Sequence, residues 1–286
     1  MRTIIAMPER AGEQISVEPN GRVTFGVRYE DEHVLVVDKP ARVVTTPGVG
    51  HQHDTLLNGL MARDPRTLAR LGQRRDYGLC HRLDRDTSGL IAVTRTAEAY
   101  GGLTAAFRER RVKKFYYAVC HKPPKDGSGV IRRAIEERVE RVDKYTSKKT
   151  SVLSSGGKPA VTAFRVLATA DTGMALVEAR PVTGRLHQVR VHLASVGAAI
   201  VGDSEYGPRS AANAAKRVAL HAHRLAFEHP VTGEAVDVRS PIPKDMRVII
   251  RRVGLPLPSE IEAAPAGPGS EGGHELGGDA VGEEQA

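Results

Sequence analysis

Short apolar runs with the residue content of β-strands recur along this chain, and little helical sequence separates most of them. Val, Ile, Tyr and Phe are frequent in these runs, as expected for residues that pack on a pleated surface. The runs are "HVLVVDKP" at 33–40, "LIAVT" at 90–94, "VKKFYYAVC" at 112–120, "AVTAFRVLA" at 160–168, "MALVEARPV" at 174–182, "LHAHRLAFEHP" at 220–230 and "VDVRS" at 236–240. Strands with few intervening helices predict an α+β fold around a mixed, largely antiparallel central sheet with flanking helices and loops.

Three segments are predicted to be helices. Asp54 precedes "TLLNGLMAR", in which leucines recur on one face, and Thr96 precedes a second amphipathic run. Both side chains can accept backbone N–H groups of a first helical turn. The segment 185–197, "RLHQVRVHLASVG", fits either a strand or a helix by its periodicity, and we assign a helix because Gly197 suits its end.

Charge is unevenly distributed along the chain. The 286 residues include 42 Lys and Arg against 34 Asp and Glu, a net charge of +8. From Gly254 onward there are seven acidic residues and no Lys or Arg, so the first 253 residues carry about +15. A body this basic predicts a polyanionic partner, most simply structured RNA, although general solubility is the alternative.

The predicted organisation is an N-terminal segment at 1–19, one catalytic domain at 20–252 and a disordered acidic tail at 253–286, rich in Gly, Pro and Glu. Two cysteines do not form a disulfide framework, and no apolar run approaches the roughly 20 residues that span a bilayer. We therefore expect a cytoplasmic protein with no membrane partner, acting as a monomer.

The segment 81–90, "HRLDRDTSGL", places two carboxylates among cations. Asp84 and Asp86 alternate with arginines, directly before a predicted strand. Loops held by rigid strands are where catalytic groups collect. The residues alone leave two interpretations open: ion pairs on a solvated turn, or a carboxylate held in a cationic cleft that faces RNA.

This segment resembles the signature H-R-L-D-x-x-T-S-G-L of the RluA family of pseudouridine synthases. Further segments resemble other parts of the same family, in the same order, over most of residues 30–245. They are "VVDKPARVV", "KKFYYAV", "GKPAVTAFRVL", "TGRLHQVRVHLASVGAAIVGDSEYG" and "LHAHRLAFEHPVTGE". Only about 30 residues precede the first of them, so we expect no N-terminal S4 RNA-binding domain.

The resemblance implies the pseudouridine synthase fold and an isomerase that detaches uracil from its ribose in rRNA or tRNA, rotates it and rejoins it through carbon 5. No cofactor is implied. Asp84 matches the essential aspartate, either as a nucleophile or as a proton shuttle. Arg185 is assigned to the guanidinium that keeps this carboxylate ionised, Tyr116 to the aromatic that contacts the base, and Arg82 to support of the flipped nucleotide.

Other residues are expected to contact the RNA. Substrate binding is predicted for His81, Thr87, Lys114, Leu186 and Arg42, and phosphate contacts for Arg108, Arg110, Arg111 and Lys113. The alternatives are that Thr87 satisfies backbone groups and that the basic run is a solvated face. No metal site is expected, because neither "HQH" at 51–53 nor "HAH" at 221–223 has an acid or cysteine at ligand spacing.

Two other functions are compatible with this sequence. A catalytically silent RNA-binding protein could keep the fold, but RNA binding alone does not require a buried carboxylate. A nucleoside hydrolase or glycosylase using Asp84 would release free uracil, whereas an isomerase leaves the mass of the RNA unchanged. A serine hydrolase is disfavoured because no base and orienting group accompany Ser88.

Overall fold

The computed structural model describes residues 17–141 and 147–259. The strands in this part of the chain are β1 (Gly26–Glu30), β2 (Val34–Lys39), β3 (Ser88–Thr94), β4 (Lys113–Cys120), β5 (Ser128–Arg132), β6 (Ile135–Arg141), β7 (Ser147–Leu153), β8 (Val161–Thr169), β9 (Ala175–Pro181), β10 (Leu220–Glu228) and β11 (Ala235–Arg239). The helices are α1 (Leu56–Arg63), α2 (Pro65–Leu71), α3 (Ala97–Arg108), α4 (Gln188–Ser195), α5 (Arg209–Ala212) and α6 (Lys244–Arg252), with a 3₁₀ segment at Gln73–Gly78.

A mixed sheet of nine strands is the centre of the described structure. Its order is β1-β2-β3-β10-β4-β9-β8-β5, and β11 also pairs with β10. The pairing of β3 with β10 is parallel, and the other pairings in this sheet are antiparallel. The α+β fold with a mixed, largely antiparallel sheet is thus confirmed.

Strand β3 is buried along its whole length because both of its faces are covered. All seven of its residues are buried. Successive side chains of a strand point to opposite faces. Ile91 and Val93 belong to the apolar cluster that includes α1 and α2, whereas Leu90 and Ala92 pack with α3.

The predicted helices exist, but the first one begins differently. Thr55 rather than Asp54 is the N-cap of α1, and Thr55 and Asn58 bond each other's backbone N–H in a capping box. Asp54 instead accepts from His51 at 2.7 Å. Thr96 caps α3 as predicted. The segment from 188 is a helix, and Gly197 follows its end with a φ of +81°.

The segment 81–90 is anchored where β3 meets β10. Ser88 and Gly89 pair with His221 and Ala222. A Cβ on Gly89 would lie 2.2 Å from the Ala222 carbonyl oxygen, so the two backbones approach as closely as they do only because this residue is glycine. The buried Arg217 donates to the carbonyl of Asp86 at 3.1 Å. The loop before β3 is therefore fixed to the middle of the sheet.

The strongly charged stretch at 132–149 contains most of a two-stranded hairpin. Strands β6 and β7 pair from Ile135 with Leu153 to Arg141 with Ser147. Ser151 of β7 donates its hydroxyl to the Leu186 carbonyl at 2.7 Å. The hairpin consequently packs against the segment that leads into α4.

Ordered packing extends beyond the predicted limits of the catalytic domain. Val253 and Leu255 are 7% and 3% exposed, and Val17 is 6% exposed. Val253 and Leu255 belong to the same apolar cluster as Met246 and Ile250 of α6, so buried packing continues past residue 252. The disorder predicted for the tail lies, from residue 260 on, outside the described residues. Within 17–141 and 147–259, none of the helices has the length and apolar character to cross a membrane.

Candidate active site

Asp84 lies on a turn whose backbone is held from two directions. The Thr45 hydroxyl donates to the Leu83 carbonyl at 2.9 Å, and the Thr87 N–H donates to the Asp84 carbonyl at 3.1 Å. The Asp84 side chain is 25% exposed. The carboxylate is thus fixed in position and still open to an incoming group.

Arg190 of α4 provides the guanidinium beside this carboxylate. Its Nη1 lies 3.6 Å from Asp84 Oδ2, while Nε and Nη2 donate to both carboxylate oxygens of Asp203 at 2.8 and 2.9 Å. Burial disfavours the charged form of Arg190. The hydrogen bonds and charge of Asp203, with a contribution from Asp84, nevertheless raise the pKa of Arg190. A permanent positive charge therefore stands next to Asp84.

Tyr116 of β4 is the aromatic side chain of the site. It pairs across the sheet with Ala179 and Ala222, whose small side chains leave room for its ring. The residue is 8% exposed. Burial, and then the charge of Asp84, raise the pKa of the Tyr116 hydroxyl. This ring is therefore neutral and lies within electrostatic reach of the carboxylate.

Lys39 is fully buried beneath the same loop. Its ammonium donates to the carbonyls of Pro40, Val43 and Arg85 at 2.9, 2.7 and 3.2 Å. Burial lowers the pKa of Lys39 to about 7, against the opposing charges of Asp84 and Asp86. The contact with the Arg85 carbonyl ties the end of β2 to the loop that carries Asp84.

Tyr206 and His187 complete the surroundings of Arg190. The Tyr206 hydroxyl accepts from the Ser151 N–H at 2.9 Å and lies 2.8 Å from His187 Nδ1. Burial lowers the pKa of His187 to about 4, so its ring is neutral near pH 7. The Tyr206 ring centre lies 5.0 Å from the Arg190 guanidinium carbon. A cation–π contact thus covers one side of the guanidinium.

A carboxylate, a buried guanidinium and an aromatic ring meet at the end of a mixed sheet. The family model described as RNA pseudouridylate synthase matches residues 33–195 of the chain, which include Asp84, Tyr116 and Arg190. This chain belongs to that family. The resemblance drawn from the sequence motifs is confirmed.

Curated relatives of this RNA pseudouridylate synthase agree with the match. "Ribosomal large subunit pseudouridine synthase D" of Zymomonas mobilis is 36% identical over 236 residues, which cover 80% of this chain and 73% of the relative. The protein of the same name from Neisseria meningitidis is 40% identical over 235 residues, or 78% of this chain. The match spans 60% of the Neisseria protein's length.

Solved structures share the fold of this synthase. The human "RNA Pseudouridylate Synthase Domain Containing 4" has a TM-score of 0.62 at 25% identity, covering 82% of this chain and 94% of its own. The human "RNA Pseudouridylate Synthase Domain Containing 1" has a TM-score of 0.60 at 26% identity, covering 87% and 98%. The predicted pseudouridine synthase fold is therefore confirmed.

The guanidinium assigned to Asp84 from the sequence was the wrong one. Arg185 donates its Nε to the Pro159 carbonyl at 3.2 Å, and among the described residues it forms no ion pair with Asp84. Arg185 precedes α4, whereas Arg190 lies on the buried part of that helix. The helix, rather than the loop before it, directs a guanidinium toward Asp84.

His81 and Arg82, which lie three and two residues before Asp84, differ in their surroundings. Arg82 is exposed, and its side chain makes no hydrogen bond or ion pair within the described part of the protein. His81 accepts the Ala92 N–H on Nε2 at 2.9 Å and lies 4.7 Å from the Phe107 ring. Burial lowers the pKa of His81 to about 3. His81 thus supports β3, whereas the Arg82 side chain is exposed to solvent.

Thr87 and Lys114 are close to the site but largely enclosed. Thr87 is 2% exposed and its hydroxyl has no hydrogen-bond partner within the described residues, so the substrate contact predicted for it stays a prediction. Lys114 donates to the Thr183 carbonyl at 3.4 Å, and burial lowers the pKa of Lys114 to about 8. Lys114 is half-buried and keeps a part of its surface toward solvent.

Leu186 and Arg42 lie on segments that border the site. Leu186 is half-buried, and its carbonyl is occupied by Ser151. Arg42 is exposed with a φ of +70°, a left-handed conformation that is uncommon outside glycine. Arg42 also helps to lower the pKa of the Asp245 carboxyl, whose main cause is the hydrogen bond from Arg217.

The basic run after α3 is exposed, as a phosphate-binding surface requires. All four of its predicted members lie at the surface: Arg108, Arg110, Arg111 and Lys113. Arg111 donates Nε and Nη2 to the Glu109 carboxylate at 3.0 and 2.8 Å, and Arg108 lies 3.8 Å from Glu109. Glu109 therefore neutralises part of this run.

Sequence reasoning missed Arg190, Asp203 and Lys39. One signal was available for Arg190, which lies between Val189 and Val191 in a helix without a charged face. An arginine buried in this way needs carboxylate partners. Asp203 lies in the quoted "GDSEYG" segment, but its distance from Arg190 is not readable from the letters.

The histidine pairs noted in the sequence have other partners. His221 lies 3.0 Å from the Ser88 hydroxyl, and His223 lies 3.1 Å from the Glu178 carboxylate. His51 contacts Asp54, and His53 contacts Glu18. Across the described ranges, no group of three or more His, Cys, Asp or Glu side chains is arranged to hold a metal ion.

Proposed function

We propose that this enzyme isomerises a uridine of ribosomal RNA to pseudouridine, with Asp84 as its catalytic carboxylate. The observation that carries the proposal is the 25% exposure of the Asp84 side chain beside the buried guanidinium of Arg190. The large-subunit names of the relatives from Zymomonas and Neisseria support a ribosomal RNA substrate. Action on this substrate would take place in the cytoplasm, and we propose a monomer as the active form.

The reaction breaks the C1′–N1 bond of uridine and forms a C1′–C5 bond. A proton leaves C5 and one is gained at N1, so the product has the mass of the substrate. An ionised Asp84 can serve either as a nucleophile or as the base for the C5 proton. Both roles require a charged carboxylate in a site that partly excludes water, and the charge of Arg190 favours that form.

The uridine must leave the RNA stack before this chemistry, at a cost of a few kcal/mol. We propose that Tyr116 offers a stacking face to the extruded base, an interaction worth about 1–3 kcal/mol. Arg82, which is exposed and has no hydrogen-bond or ion-pair partner among the described residues, is proposed to support the flipped nucleotide. Arg42, Lys114 and the basic run at 108–113 are proposed phosphate contacts, which bind the backbone without reading sequence.

The test is a product analysis with purified enzyme. Transcripts of large-subunit ribosomal RNA, small-subunit ribosomal RNA and transfer RNA are incubated separately, digested to nucleosides and separated by chromatography, with free uracil measured in parallel. We expect pseudouridine from the large-subunit transcript and no uracil. Uracil release would instead indicate a glycosylase, and tight binding without product would indicate a silent RNA-binding protein.

Mapping pseudouridine in total RNA from cells with and without this gene identifies the modified position. A single site that disappears from ribosomal RNA on deletion of the gene supports the proposal. A site that disappears only from transfer RNA would contradict the ribosomal substrate while leaving the chemistry intact.

A further inference from the structure

Arg190 is shared unequally between two carboxylates. Its Nε and Nη2 form a bidentate pair with Asp203 at 2.8 and 2.9 Å, whereas its contact with Asp84 is one Nη1 at 3.6 Å. Paired N–H groups that meet both oxygens of a carboxylate fix a guanidinium in direction as well as position. The two N–H groups of Arg190 that form its bidentate pair therefore point away from Asp84.

Asp203 is itself held rigidly. It is 1% exposed, and its Oδ1 also accepts the backbone N–H groups of Glu205 and Tyr206 at 3.0 and 3.2 Å. These contacts lie in the turn after α4 and do not involve the loop of Asp84. The anchor of Arg190 therefore does not depend on the loop that carries Asp84.

Other contacts leave Arg190 little freedom except toward Asp84. The Tyr206 ring covers one side of the guanidinium, and the Tyr206 hydroxyl accepts from the Ser151 N–H and lies 2.8 Å from His187 Nδ1. Within the described ranges, five groups from other parts of the chain lie within electrostatic reach of Asp84: Lys39 at the end of β2, Tyr116 of β4, His187, Arg190 and Tyr206. Arg85 and Asp86 lie on the same loop as Asp84. Lys148 of β7 interacts electrostatically with Arg190 and Asp203.

We propose that Asp203 is a positioning residue that prevents Arg190 from closing onto Asp84 and so keeps the Asp84 oxygens available to the uridine. This inference rests on the proposed function. Without Asp203, the paired N–H groups of Arg190 can rotate toward the only other carboxylate it contacts in the described structure. A bidentate Arg190–Asp84 pair would occupy both oxygens that the reaction needs.

The decisive variant is Asp203→Asn, compared with wild type in single-turnover rate, in KM for RNA and in the pH dependence of the rate. We expect the rate to fall about a hundredfold while KM stays within about twofold of wild type. The reason is that the displaced Arg190 guanidinium acts on the reacting carboxylate and not on RNA binding. The acid limb of the rate should move to lower pH, because a guanidinium that pairs with Asp84 through two N–H groups favours its charged form.

Glu178→Gln is the matched control, because Glu178 is also a buried carboxylate paired with an arginine. It should lose stability without moving the acid limb. An acid limb that stays at the wild-type pH in folded Asp203→Asn would overturn the proposal. An inactive wild type would instead reject the proposed function.

Two further variants test whether Asp203 acts through Arg190. In an Arg190→Lys background, Asp203→Asn should lower the rate by less than about a further threefold, because a lysine has no paired N–H groups for Asp203 to hold. Fully additive losses of rate would contradict the proposal. If Asp203→Asn does not fold, Asp203→Glu keeps the charge but shifts the anchor. A folded Asp203→Glu with the wild-type rate would also contradict it.

Discussion

Two carboxylates on opposite sides of the central sheet are paired with arginines in different ways. Glu178 of β9 is enclosed, with Arg165 Nε at 2.8 Å and His223 Nε2 at 3.1 Å. Asp84 is 25% exposed and has one guanidinium nitrogen at 3.6 Å. One carboxylate has its hydrogen-bonding capacity used within the protein, while the other has most of it left.

The sheet itself separates the two environments. Tyr116 and Tyr117 are successive residues of β4, so their rings point to opposite faces. Tyr116 lies within reach of the Asp84 charge, whereas Tyr117 stacks on His223 with ring centres 3.5 Å apart. A carboxylate whose bonds are satisfied within the fold is a structural group, whereas a carboxylate with spare oxygens can react. This difference is what the following variants examine.

The largest difference is expected in catalysis. Asp84→Asn should lower pseudouridine formation at least about a thousandfold, because an amide is neither a nucleophile nor a base. Glu178→Gln should remain active at temperatures where it is folded. RNA affinity of Asp84→Asn, measured by filter binding, should stay within a few fold of wild type. An equal loss of affinity and activity would contradict the catalytic role.

The second-largest difference is expected between the two arginine partners, in how much each contributes to stability. Arg190→Lys removes the fork from a buried pair and should lower the free energy of unfolding by about 3 kcal/mol, together with activity. Arg165 is 49% exposed on its side chain, so Arg165→Lys should cost less than about 1 kcal/mol. Denaturant unfolding curves measure both. Equal costs would mean that burial does not distinguish the two pairs.

Lys39 predicts a pH dependence on the catalytic side. Its pKa is lowered by burial to about 7 in the folded protein, below the ordinary lysine value. The unfolded chain therefore keeps the Lys39 proton up to a higher pH than the folded protein does. The free energy of unfolding of wild type relative to Lys39→Met should therefore rise above pH 7, by at most about 1.4 kcal/mol per pH unit. A constant difference between pH 7 and 10 would exclude this titration.

Glu178 predicts a smaller effect of the same direction in a lower pH range. Burial works against its charge, but the bonds from His223 and Arg165 lower the pKa of Glu178 overall. The stability that wild type has over Glu178→Gln, about 1–2 kcal/mol, should be complete above about pH 5 and decrease at lower pH. Thermal unfolding at pH 3 to 7 tests this. An advantage that grows as the pH falls would contradict the assigned pairing.

Local patterns predicted the parts of the molecule that contiguous residues determine. The runs at 33–40 and 112–120 became β2 and β4, and the ambiguous segment at 185–197 contains α4. Helix α6 was missed because its sequence, "KDMRVIIRR", is mostly charged. Its core contacts through Met246, Ile249 and Ile250 depend on the sheet that the helix covers.

The sequence by itself determined the family, the α+β class, and the identity of Asp84 and Tyr116 as candidate site residues, because each is carried by a short contiguous motif. Only the tertiary structure decided that Arg190 rather than Arg185 faces Asp84, and that Asp203 holds it. The reason is physical. A motif fixes which residues are present, but the direction of a side chain depends on whether its backbone is helix or loop, and Asp84 and Arg190 meet only through packing.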